Sequence, residues 1–599
     1  MKHLSYLNKF LYKYRWRLIP GIIFVVISNL FAVLPAQIIR MAFELVQENI
    51  AMYHLFEGFA RQQLVYKIFG QSLLLFGATV IFMAILRGIF LFLMRQTIIL
   101  MSRHIEYDLK NELYAHYQHL SMSFYRRNNT GDMMNRVSED VSRVRMYLGP
   151  GIMYTSNTAV LFLMTIYFMI SVNAKLAFYC VLPLPLLAVT IYYVNNMINH
   201  RSERIQQQLS GLSSFVQETF SGIRVVKSYV REEYIRSKFA EESNHYKEHS
   251  LALAKVQALF FPLMLLLVGL STIITVYVGG IEVMNGTITA GNIAEFIVYV
   301  TMLTFPVTML GWVTSLIQRA AASQKRINEF LQTVPEIQSP ANALTVPLRG
   351  GIEFRDVSFT YGGTGITALK NVSFKVKPGE LLAIIGRTGS GKSTIADLAL
   401  RMYDASSGAI LVDGHPIGQL DLNHYRSQVG FVPQDVFLFS DTISNNISFG
   451  SPDASREQIE RAAKDAAVYQ NIMGFEHGFE TVTGERGVTL SGGQKQRVSI
   501  ARALVKEPKL LIFDDCLSAV DTSTEEEILS HLGRNMAGKT SIIIAHRVST
   551  IKNADHIIVL EAGRVVEEGT HHVLMNAQGV YADLYEKQLL EGSGETGKE

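Results

Sequence analysis

The sequence predicts a two-part chain: an α-helical membrane domain of six transmembrane helices with long polar extensions, then an α/β domain built on a phosphate-binding loop. Three observations carry this reading. Six windows of about 20 apolar residues, the length needed to cross a bilayer, lie before residue 320. From Ile352 onward the texture changes to short β-rich runs alternating with helical windows. Within that second half the apolar run Leu382–Ile385 passes straight into Gly386-Arg387-Thr388-Gly389-Ser390-Gly391-Lys392-Ser393-Thr394 and a helical window.

Composition agrees. A chain of 599 residues is too long for one core, and 49% of it is hydrophobic. The net charge of +3, spread over many acids and bases, gives no electrostatic footprint for nucleic acid. Two cysteines, Cys180 in an apolar stretch and Cys516 far from it, exclude a disulfide framework or a four-cysteine zinc site and read as buried thiols. The apolar run near Leu18 is long and lacks a small-residue cleavage site, so it reads as a retained span rather than a signal peptide.

The spans are expected near 18–39, 68–94, 151–171, 175–194, 255–280 and 292–316. Pro20, Pro35, Pro183, Pro185 and Pro306 interrupt three of them, which neighbouring helices can accommodate. Lys2, Lys9, Lys13, Arg15 and Arg17 precede the first span, whereas Gly279 to Ala290 has no Lys or Arg, so the N-terminus is expected in the cytoplasm. An even number of spans then returns the second half to the same side. The stretches 95–150 and 195–254 fall inside, charged and helical in pattern; a leg of about 25 residues at 1.5 Å each reaches roughly 38 Å, enough to meet a cytoplasmic domain. Arg87 and Glu295 are charges within or near spans and therefore candidates for a substrate pathway, although either is close enough to a helix end to snorkel. Pro335, Pro340 and Pro347 mark a linker. The expected domains are 1–330 in the membrane, 331–349 as linker, 350–590 as the nucleotide-binding domain and 591–599 as a disordered Gly/Ser/Glu-rich tail.

The loop Gly386–Thr394 stands in the strand, loop, helix context that a P-loop requires. Its glycines let backbone N–H groups curl round phosphates, Lys392 reaches the β and γ phosphates, and Ser393 offers a hydroxyl to Mg2+. The strand Leu510–Phe513 ends on Asp514, a second metal-holding group, and Asp515 follows as the candidate to polarise the attacking water.

Between these motifs stands Leu490-Ser491-Gly492-Gly493-Gln494, followed by Lys495-Gln496-Arg497 and Ala501-Arg502-Ala503-Leu504. With this signature the chain resembles the ATP-binding cassette transporters over almost its whole length. The resemblance implies ATP and Mg2+ as cofactors. It implies roles for Tyr361 stacking on adenine, for Gln434 as the glutamine that meets metal and water, for Ser518-Ala519-Val520-Asp521 as the loop that crosses to a partner, and for His546 as the switch histidine. Membrane domain before cassette, with long inner hairpins, is similar to the exporter subgroup of multidrug and lipid exporters. Phe124-Tyr125 through Thr130-Gly131-Asp132, Gln217-Glu218 through Gly222-Ile223-Arg224, and Thr483–Gly487 resemble that subgroup's coupling segments.

In that family the signature, here Ser491, Gly492, Gly493 and Gln494, faces the γ-phosphate held by a partner's P-loop. The chain is therefore expected to act as a dimer of half-transporters that exports or flips a hydrophobic or amphipathic drug or lipid across a membrane, bacterial inner or plasma membrane being the natural setting. One departure stands out: the family's usual catalytic Glu is Asp515 here, one methylene shorter. A homodimer with a slower base and a heterodimer with a Glu-bearing chain both follow from it, and so does an ATP-gated regulatory or channel-like module.

Overall fold

In the computed structural model of the protein the described residues are 2–55, 58–59, 61–516, 528, 530 and 538–594. They form two compact units: Met1–Tyr117 with Gly131–Thr333, and Gln118–Thr130 with Val334–Glu599. The short segment Gln118–Thr130 thus groups with the second unit, although it interrupts the helical half in sequence.

In the first unit, six helices among the described residues are long and apolar enough to cross a membrane: α1 (Arg15–Leu55), α2 (Arg61–His119), α4 (Thr130–Val172), α5 (Ala174–Ser221), α6 (Glu232–Met284) and α7 (Ala290–Leu331); α3 is the short helix Met122–Arg127. Each contains one of the six expected apolar windows. At 41 to 59 residues they far exceed the ~20 that a bilayer needs, so each carries a polar extension. Prolines sit inside α1, α4, α5, α6 and α7. Pro262 in α6 belongs to this set as well as those read from sequence.

Side chains from α1, α4, α5, α6 and α7 share one apolar core that includes Val33, Leu161, Leu184, Leu267, Phe296 and Leu303. None of the apolar window of α2 is buried, and Leu74, Leu75, Phe82 and Phe92 stand exposed, as expected of a helix that meets lipid or a second protein. Cys180 is buried and its thiol lies 3.0 Å from the Thr275 hydroxyl. Glu295 is fully buried; its carboxylate accepts from the Tyr299 hydroxyl at 2.8 Å and the Asn292 amide at 3.2 Å, and Arg40 lies 3.6 Å away. This carboxylate is engaged inside the helix bundle, while Arg87 on α2 is exposed.

In the second unit the strands are β1 (Ile352–Thr360), β2 (Thr367–Val376), β3 (Leu381–Ile385), β4 (Ser407–Val412), β5 (His415–Pro416), β6 (Val429–Val432), β7 (Leu510–Asp514), β8 (Thr540–Ile544), β9 (His556–Glu561) and β10 (Arg564–Gly569). β2-β1-β4-β5 form an antiparallel sheet, and β10-β9-β3-β8-β7-β6 a second sheet that is parallel from β9 to β6. The parallel strands are almost continuously apolar because both faces are covered. Ala383, Ile385, Leu511, Phe513 and Ile557 enter one core, while Leu382, Ile384, Leu510, Ile512 and Ile558 enter the other. This two-sided burial fixes the register, since a one-residue slip would exchange the two faces.

Candidate nucleotide site

The parallel order β3-β8-β7-β6 brings four strand ends together, and ligands in such sheets bind outside the carboxyl ends of the strands. Ile384 pairs with Ile544, Asp514 with Ile544 and Val432 with Phe513, so the chain leaves these strands at matching heights. Just beyond those ends lie Gly386 after β3, His546 after β8, Asp514 and Asp515 at and after β7, and Gln434 after β6. Four expectations widely separated in sequence therefore converge at one edge.

After β3 the chain turns through Gly386, Arg387, Thr388, Gly389 and Ser390 into α8 (Lys392–Ala399). A side chain at Gly386 would strike the Leu560 carbonyl, and Gly391, with φ of 101°, would meet that of Ala368. The tight course of the loop thus requires glycine at both positions. Lys392 is buried and donates to the carbonyls of Gly386 at 2.7 Å and Arg387 at 3.0 Å. Ser390 is buried with a hydroxyl that has no hydrogen-bond partner among the described residues. An orphaned hydroxyl in a glycine loop is a natural place for a phosphate oxygen to bind.

Ser393 donates its hydroxyl to Asp514 at 3.0 Å, and the Gln434 amide donates to Asp515 at 3.3 Å. His546 Nε2 lies 3.9 Å from the same Asp515 oxygen. Burial and the Lys392 charge hold the His546 imidazole below its ordinary pKa against the pull of Asp515. This biases the His546 ring beside Asp515 toward its neutral form. Burial lowers Lys392, opposed by the two aspartates, and raises Asp514, opposed by the Ser393 hydroxyl. The result is a hydroxyl, two carboxylates, an amide, an imidazole and an ammonium facing one loop, a set able to grip phosphate, a hard cation and a water.

The Tyr361 hydroxyl lies 3.0 Å from that of Thr394 on α8, which ties the aromatic to the P-loop helix. The signature residues open α9 (Gly492–Leu504). Ser491 caps it by accepting from the Gln494 N–H at 3.3 Å, while the Gln494 side chain accepts from the Ser491 N–H at 3.0 Å. Leu490 is buried; Ser491 and Gly492 are exposed, with Gly493 half-buried. Of the expected site residues, Asp521, with the rest of Ser518–Asp521, lies outside the described residues.

Two side chains that sequence reasoning did not single out belong to this edge. Gln588 in α10 (Val580–Gly594) donates to the His546 carbonyl at 2.6 Å and accepts from the Val548 N–H at 2.8 Å, so the last helix braces the histidine loop. Asp397 on α8 has its carboxyl pushed up to about 6, chiefly by burial and further by Asp514. Neither sits in a local motif, so no sequence signal marked them.

Comparison with known proteins agrees with this geometry. Residues 18–307 match the ABC transporter transmembrane region family and residues 369–518 the ABC transporter family. The chain is 34% identical to the multidrug resistance-like ATP-binding protein MdlA of Escherichia coli, over 87% of this chain and 88% of that protein. It is 35% identical to an ATP-dependent lipid A-core flippase of Syntrophus aciditrophicus, over 82% of both chains. Among solved structures a bacterial Atm1-family ABC exporter with ATP bound superposes with a TM-score of 0.75 at 28% identity, over 96% of this chain and 98% of that one. The chain therefore belongs to the ATP-binding cassette transporters, as an exporter-type half-transporter in which a six-span membrane domain is fused to an ATP-binding transport ATPase.

Proposed function

We propose that two copies of this chain form an exporter that closes two ATP molecules between its cassettes. The exporter hydrolyses them and moves a hydrophobic or amphipathic molecule, a drug or a lipid, across the membrane by alternating access. The observation that carries this is the convergence of Asp514, Asp515, Gln434 and His546 at adjacent strand ends with Ser393 at the start of α8. The donor set fits Mg2+: hard oxygens from a hydroxyl and a carboxylate 3.0 Å apart suit a small divalent ion that keeps phosphate and water as its other ligands. Ser393, Asp514 and Gln434 would hold it, and the ion would neutralise charge on the transferring phosphoryl group.

The chain's own residues do the rest. Lys392 exchanges its two loop carbonyls for phosphate oxygens, and Gly386 to Thr394 wrap the phosphates with backbone N–H groups. Asp515 orients the attacking water, steadied by Gln434, and neutral His546 donates toward the γ-phosphate. Exposed Ser491 and Gly492, with Gly493 and Gln494, offer the start of α9 to the partner's ATP, and Asp521 belongs to the same crossing. Lys2, Lys9 and Lys13 before α1, with Arg15 and Arg17 in its first turn, support a cytoplasmic N-terminus and cassette, and the bacterial relatives support a bacterial inner membrane. A drug or lipid cargo is supported by the multidrug and flippase names of the relatives.

Purified alone in detergent, the chain should run as a dimer by light scattering and hydrolyse Mg-ATP. Asp515→Asn should cut turnover on the order of 10²-fold or more without disturbing ATP binding. A monomer without turnover, rescued only by a second polypeptide bearing Glu at this position, would replace the homodimer with a heterodimer.

A further inference from the structure

The helix α3 (Met122–Arg127) lies in the chain between two transmembrane helices, yet it packs with the cassette. Its Arg126 guanidinium lies over the Tyr361 ring, 4.3 Å from the centroid. Phe359 and Tyr403 meet the same ring edge to face, with centroids 4.8 and 5.5 Å away. These residues line one cavity of about 720 Å3 that also includes Ser123, Gly362 and Asp404. The neighbouring Arg127 takes a different course, pairing with Glu336 at 3.2 Å and approaching Gly362.

We propose that Arg126 occupies the face of Tyr361 that receives the nucleotide base, so that ATP binds by displacing this arginine from the ring. The inference rests on the reading of Tyr361 as the base platform. Two facts give it direction. The Tyr361 hydroxyl is tied to Thr394 at 3.0 Å, which fixes the ring beside the P-loop helix, while Phe359 and Tyr403 wall it on other sides. A planar guanidinium and an adenine ring are both flat groups that stack on aromatics, so they compete for one surface. The competition couples the base, rather than the phosphates, to a segment whose two ends run directly into α2 and α4. It also gives a physical reason for an arginine at this point of a helix whose other cation is already paired to Glu336.

Removing a positive charge weakens binding of any polyphosphate, so the test compares two ligands that share phosphates and differ in the base. Full-length protein in detergent, carrying Asp515→Asn to prevent turnover, is titrated calorimetrically with ATP and with inorganic triphosphate. Arg126→Ala should raise affinity for ATP relative to triphosphate by about two- to fivefold, the size of an exposed cation–π contact. Arg127→Ala should leave that ratio unchanged, and Tyr361→Ala should lower it. An unchanged ratio in Arg126→Ala overturns the proposal, and a lowered one overturns it by showing that the arginine holds the base instead. If Tyr361→Ala leaves the ratio unchanged, the platform itself is misassigned and the proposal falls with it.

Discussion

Asp515 sits where chemistry and backbone constraint coincide: its φ of 43° is left-handed, a conformation aspartate tolerates better than most residues. Its side chain nonetheless reaches Gln434 and His546, so the shorter carboxylate is built into a connected site. Asp397 makes a second residue-level statement. Because its carboxyl is pushed up to about 6 from an ordinary 3.8, the native state holds a proton that the unfolded chain releases between these values. The associated stability is full below about pH 4 and lost as pH rises through about 6. Asp397→Asn should therefore stabilise the protein at pH 7.5 by up to about 3 kcal/mol, with the gain vanishing near pH 4. Thermal unfolding followed at both pH values checks this, and an equal gain at both would contradict it. The motif residues of this site were legible because a phosphate loop needs consecutive backbone groups, which leaves a contiguous pattern. Gln588 and Arg126 were not legible, since they meet His546 and Tyr361 across 42 residues in one case and between distant elements in the other.

At the scale of elements, the spans and the central strands could be read because each is long or continuously apolar. The apolar runs Leu382–Ile385 and Leu510–Phe513 each fall one residue short of the observed strands, Leu381–Ile385 and Leu510–Asp514. β10 was not read, as its alternating half-exposed Arg564–Gly569 carries three charged residues. β4 hides behind a polar start, Ser407 and Gly408. The pairing of Glu295 was equally invisible, because Arg40 comes from α1 and Glu295 from α7. That pairing makes the carboxylate a structural tie between two spans. Glu295→Ala would take the 2.8 Å acceptor from the buried Tyr299 hydroxyl and leave Arg40 with Glu44 alone, a change that costs roughly 1–3 kcal/mol. The variant should lose thermal stability in detergent while folded protein retains ATPase turnover. Unaltered stability with lost substrate-stimulated ATPase would assign Glu295 to the pathway instead.

At the scale of the molecule, the signature stands exposed at Ser491 and Gly492 and the apolar window of α2 is unburied, surfaces that suit lipid or a second protein. α3 is continuous in sequence with α2 and α4 yet groups with the nucleotide-binding unit, so the chain itself links that unit to both helices. The central claim is that ATP turnover at Asp515 drives transport. Its most direct test is accumulation of a fluorescent amphipathic dye in proteoliposomes with cassettes facing outward. The account predicts Mg-ATP-dependent accumulation against the gradient, abolished by Asp515→Asn. ATP hydrolysis with no net accumulation, across dyes and fluorescent lipids alike, would contradict it.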